Sequence, residues 1–239
     1  MNKAKKLTTL LLIAPIFNTL TMAEWGSNDD LVGAVRSNNK DAVKELVDNG
    51  WRLHDDRSPV LSMALRECCS SPDLGTDIVK LLLDSGVNPN GEGATPPLSF
   101  AIAIGCPLQV IQWLLEKGAN VKKQEVSSLE TALHVVARNA ERTPEERLAI
   151  LKLLLKHKNK AVIDGQDSDG VTPLWIAAEV CNPECVEYLL KLGAQDVPDF
   201  IHKKTALQMA QNVLNRHSES DIEYQKAQQI IALFDQYKN

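Results

Sequence analysis

The 239-residue sequence has no HExxH pair, no glycine-rich phosphate loop and no Gly-x-Ser-x-Gly elbow. Those absences remove the recognisable zinc-hydrolase, nucleotide-binding and serine-hydrolase sets, so the chain is expected not to be an enzyme and to need no cofactor or metal. Positive charge is scarce as well: 26 Lys and Arg against 31 Asp and Glu leave a net charge of −5. Binding nucleic acid without regard to sequence requires many cations against phosphates, so no nucleic-acid partner is expected. Beyond residue 23 no apolar run approaches the roughly 18 to 20 residues that a membrane span needs.

What is present begins with residues 1–23. "MNKAKK" carries three lysines and no acid, "LTTLLLIAPIF" is apolar, and "TMA" places small residues before a cleavage point. This is the pattern of a secretory signal peptide, and its apolar run, interrupted by Pro15 and Asn18, is short for an anchor. Cleavage removes three lysines and moves the charge from −5 to −8 in a mature chain starting near Glu24. No cysteine lies beside that point, so no lipid anchor is expected there. With 44% hydrophobic and 24% charged residues, the remainder carries enough apolar material for a folded core.

A stretch such as "DGVTPLWIAA", Asp169 to Ala178, reads either as a loop or as one copy of a unit, and recurrence decides. Aligned leucines stand at Leu31, Leu61, Leu98, Leu133, Leu174 and Leu207, at intervals of 30, 37, 35, 41 and 33 residues. A second anchor follows the first five, ending at Gly50, Gly86, Gly118, Lys158 and Gly193. Apolar residues in "VIQWLLEKG" and "CVEYLLKLG" recur every three or four positions, the mark of a buried helical stripe. Each following glycine is an expected left-handed helix stop, and Lys158 breaks the rule. Thr143-Pro144-Glu145-Glu146 and Asn182-Pro183-Glu184 are written as helix starts.

These turns and anchors resemble the ankyrin repeat, a unit of roughly 33 residues with a T-P-L-H-x-A signature. The resemblance covers about 28–239 and is strongest at 169–194. It implies an all-α solenoid of five to six helix-turn-helix units joined by short hairpin-like turns. The expected repeats lie near 28–56, 57–93, 94–126, 127–168 and 169–204, with a C-terminal cap at 205–239, as one domain over 24–239. His134 stands at the signature histidine, for which the resemblance implies a structural hydrogen bond. The alternating acids of "DGQDSDG", Asp164 to Gly170, lack the later bidentate glutamate of a calcium loop, and a hairpin turn before Thr172 accounts for them.

The five cysteines, Cys68, Cys69, Cys106, Cys181 and Cys185, all fall at turns between paired helices. In an exported chain, Cys181 to Cys185, or Cys68 or Cys69 to Cys106, are candidate bridges, and buried unbridged thiols are the alternative. An odd count leaves one thiol over. No histidine is placed to complete a zinc site.

The resemblance further implies a protein-binding array whose first helices and turn tips form the contact face, monomeric when free. Five residues after each anchor leucine that face holds Arg36, Arg66, Ala103, Arg138, Glu179 and Asn212. Three arginines at one register suit carboxylates on a partner. Turn tips add Asp167, Ser168 and Asp169, and Lys203 and Lys204. Two interhelical turns, 66–77 and 137–147, look about six residues longer than the family spacing and are expected to be loops that offer alternative contacts. With the leader, this points to an exported bacterial adaptor in the periplasm or outside the cell. The leading expectation is neutralisation of a toxic enzyme in that compartment, as an immunity protein does. A protective or chaperone-like role for a periplasmic enzyme and a secreted effector binding host proteins are the alternatives.

Overall fold

The computed structural model describes residues 28–49, 60–70, 72–91, 93–139, 141–156 and 163–237. The leader at 1–23, the glycine stop at Gly50 and the departure at Lys158 lie outside the described residues. Among the described residues there are twelve helices and no strand. They form six antiparallel pairs: α1 (Asn28–Arg36) with α2 (Lys40–Asp48), α3 (Val60–Ser70) with α4 (Pro72–Asp84), and α5 (Pro97–Ala103) with α6 (Leu108–Glu116). The series continues with α7 (Ala132–Arg138) and α8 (Pro144–Leu154), α9 (Pro173–Glu179) and α10 (Pro183–Lys191), and α11 (Ala206–Arg216) and α12 (Ile222–Gln236). First helices stack on first helices and second on second along the whole series, so each unit buries its apolar stripe against its neighbours.

Leu31, Leu61, Leu98, Leu133 and Leu174 are all buried in one continuous core, while Leu207 of the last unit is half-buried against it. Residues that prefer helix starts supply the caps. Thr143 accepts from the Glu146 N–H and Glu146 accepts from the Thr143 N–H, and Asn182 accepts from the Cys185 N–H. Gly86, Gly118 and Gly193 follow α4, α6 and α10 with φ of 92°, 92° and 87°, as a left-handed stop requires. His134 is fully buried: Nδ1 accepts from the Thr131 N–H at 3.1 Å, and Nε2 faces the Val171 carbonyl at 3.1 Å.

The segments expected as long loops are largely not loops. In the second unit the extra residues lengthen both helices, to 11 and 13 residues against 7 and 9 in α5 and α6. No breaker interrupts "RECCS", and Pro72 opens α4, so helix is the cheaper state for both sides. The crossing is tight, because a Cβ on Gly75 would sit 2.4 Å from Cys68 Cα. In the fourth unit α7 ends at Arg138 and α8 begins at Pro144, and buried arginines pin the connection at Asn139 and Arg142. Arg142 donates to the Cys106 carbonyl at 2.6 Å, and Arg147 to the carbonyls of Arg142 at 3.0 Å and Asn139 at 3.1 Å.

Candidate functional site

The face five residues after the anchor leucines is outward. Arg36, Arg66, Ala103, Arg138 and Glu179 are exposed and Asn212 is half-buried. Two of the three arginines on it are engaged within the chain, however. Arg138 pairs with Glu130 at 2.6 Å, and the Arg66 guanidinium lies 5.7 Å from the centre of the Phe100 ring. The first links the helix face to the adjacent turn, and the second links successive first helices.

Three of the long turns between units are each built around one acceptor seven or eight positions before an anchor leucine. Glu125 Oε2 accepts from the N–H and hydroxyl groups of Ser127 and Ser128. Those bonds, the Ser127 hydroxyl first, hold the Glu125 carboxyl down to about 2. Asp167 Oδ1 accepts from the Asp169 and Val171 N–H groups, both at 2.9 Å. Asp199 accepts from Ile201, His202 and Lys204 N–H groups at 2.9, 2.6 and 3.1 Å. Burial opposes the Asp199 charge, yet those donors outweigh it and hold the carboxyl below its ordinary value. Asp167 is therefore a turn former, buried and with its Oδ1 accepting from its own turn. Asp169, Ser168 and Lys203 are exposed, and Lys204 is half-buried with its carbonyl accepting from Trp175 Nε1 at 2.9 Å.

Backbone hydrogen bonds tie the turn tips into a row. Val126 N–H donates to Ala94 at 3.0 Å, Ser168 to Ser128 at 2.9 Å, and Phe200 to Asp169 at 2.8 Å. Gly170, with φ 75°, lies flat beneath Phe200, where a Cβ would come within 2.5 Å of the ring. On this row stand large apolar residues in solvent: Val126 at 72% exposure, Ile201 at 61%, Phe200 at 55% and Leu129 at 41%. Sequence reasoning missed them. The one signal was an apolar pair, Phe200-Ile201, inside an otherwise polar turn.

All five cysteines are free thiols. Cys69 and Cys106 are brought together, Sγ to Sγ 3.3 Å. Cys68 hydrogen-bonds the Cys106 thiol as well, which pulls its own pKa down to about 6, and its sulfur lies 3.3 Å from Thr76 Oγ1. Cys181 and Cys185 are not brought together: Cys181 packs with Val213 and Ala227, its sulfur 3.8 Å from the Glu223 carbonyl, while Cys185 belongs to the main core. Cys68 and Cys181 each stand seven residues after an anchor leucine, but the longer α3 keeps Cys68 helical, whereas Cys181 occupies a left-handed turn with φ 53°. No group of His, Cys, Asp and Glu among the described residues is arranged to hold a metal ion. No helix among them is long and apolar enough to cross a membrane.

A family model described as Ankyrin repeats (3 copies) matches residues 31–125 and again 98–201. Together these matches take in most of the chain and five of the six helix pairs. The chain therefore belongs to the ankyrin repeat family, whose arrays are protein–protein interaction modules and generally non-catalytic scaffolds.

Proposed function

We propose that the chain is an exported binding protein that grips one protein partner along its turn tips and first-helix face. The observation that carries this reading is the row of Val126, Leu129, Phe200 and Ile201, exposed together on turns that hydrogen bonds hold in line. Apolar residues exposed singly on a surface need no explanation, but an apolar row on a rigid support is the pattern of a recognition surface. Arg36, Arg66 and Arg138 on the neighbouring face orient a partner whose apolar strip is bordered by carboxylates. The signal-like residues 1–23 support export to the periplasm or beyond it.

Within that class we propose neutralisation of a toxic enzyme in the same compartment. A rigid, preformed surface loses little entropy on binding, and blocking an enzyme needs tight occupancy more than turnover. The test is affinity capture of the mature chain from its own periplasm, with mass spectrometry, then assay of the captured protein with and without the chain. Inhibition of a toxic activity supports the reading. A captured enzyme that the chain protects supports the chaperone-like role instead, and capture of host proteins alone supports an effector.

A further inference from the structure

Cys106 follows α5 in the turn of the third unit, and its thiol reaches back over the last turn of α3 in the second. Its sulfur lies 3.5 Å from the Leu65 carbonyl and 3.3 Å from Cys69 Sγ. A disulfide needs about 2.0 Å, so the sulfurs must close by roughly 1.3 Å, within the reach of side-chain rotation. Cys69 is half-buried rather than sealed in the core, so an external reagent reaches it. The buried Arg142 guanidinium, which donates to the Cys106 carbonyl at 2.6 Å, places a fixed positive charge beside the pair. Burial raises the Cys69 pKa above its ordinary value, and the Cys106 thiol and, less strongly, that charge offset part of the rise. The adjacent Cys68 also hydrogen-bonds the Cys106 thiol, with its sulfur 3.3 Å from Thr76 Oγ1 on α4, but it is fully buried and so closed to an external reagent.

We propose that Cys69 and Cys106 form a disulfide that staples the second repeat to the third. The oxidant is a small or protein disulfide. The Cys69 thiolate attacks one of its sulfurs and expels a thiolate, leaving a mixed disulfide. Cys106 then gives up its proton and attacks the Cys69 sulfur, expelling the second thiolate. Two thiols lose two protons and two electrons, one S–S bond forms, and the external disulfide becomes two thiols. The staple fixes the rotation between two units at the point where Arg66 stands over Phe100, and so fixes the spacing of the contact face there.

The test uses the full chain in defined mixtures of reduced and oxidised glutathione, so its result does not depend on where the chain resides. After quenching with an alkylating agent, mass spectrometry counts free thiols, and peptide mapping identifies the link. Wild type should keep three of its five thiols in the oxidising mixture, the missing two being a pair. It should also melt roughly 6 to 15 °C higher than in reductant. Cys68→Ala should still lose two thiols, whereas Cys69→Ala should keep all its thiols and show no redox-dependent melting. Because Cys69 is half-buried, that variant should retain its helical circular dichroism. Five free thiols in oxidised wild type, or a Cys69→Ala chain that still loses two, overturns the proposal.

Discussion

His134 Nε2 and the Val171 carbonyl oxygen face each other across 3.1 Å, thirty-seven positions apart in sequence and one repeat apart in space. Since Nδ1 accepts from the Thr131 N–H, the proton is on Nε2, which donates to Val171. One neutral ring thus satisfies a helix start and clamps the next unit onto it.

That arrangement has a pH signature. Burial pulls the His134 pKa below its ordinary 6.5, against the opposing pull of the Val171 carbonyl. Below 6.5 the unfolded chain binds a proton that the folded chain does not. The contribution to stability is therefore full above 6.5 and falls, by up to about 1.4 kcal/mol per pH unit, down to the folded value. His134→Gln supplies the residue that Gln208 provides beside Thr205 in the last unit. The difference in urea midpoint between wild type and variant, measured near pH 7.5 and 5.5, should shrink at the lower pH. An unchanged difference contradicts the assignment.

The core makes a second prediction. Leu174 and Leu189 are fully buried in an interior repeat. Either leucine changed to Ala should cost about 2 to 5 kcal/mol and lower the melting midpoint by roughly 5 to 15 °C. Melting curves that overlay wild type for both would refute the packing register.

The third concerns Asp199. Changing it to Ala strips the acceptor from three backbone N–H groups and should cost about 1 to 3 kcal/mol. Asn keeps one carbonyl oxygen and should recover part of the loss. Hydrogen exchange should report faster amides at 201–204 while the α7 amides keep their protection. Uniform loosening of the whole array would contradict a local role.

Much of this was legible because repetition makes one physical requirement visible several times. Leu31 to Leu174 recur since each unit must bury the same stripe, and Thr143, Asn182 and Gly118 recur as caps since each helix leaves the same backbone groups unpaired. The failures lie where repetition stops. Residues 66–77 have no counterpart in neighbouring units, so nothing in register marked them as helix extension. Arg142 and Arg147 carry charge, yet carbonyls at a unique junction bury them. Asp167 read as a surface charge because an acid in a polar turn looks the same whether its oxygens face water or its own backbone. Phe200 and Ile201 depend on which turn residues point outward, which a one-dimensional pattern does not encode.

The most direct test of the binding account is a titration of the captured partner against three forms of the chain: wild type, Phe200→Ser with Ile201→Ser, and Arg36, Arg66 and Arg138 all changed to Ala. Melting curves are recorded alongside, since both residues of the tip pair are more than half exposed and should leave the fold intact. The tip variant should weaken binding by at least thirtyfold, the loss expected for about 2 kcal/mol at an interface centre. The arginine variant should lose less, because Arg138 and Arg66 already spend contacts on Glu130 and Phe100. Wild-type affinity in the folded tip variant would contradict the account.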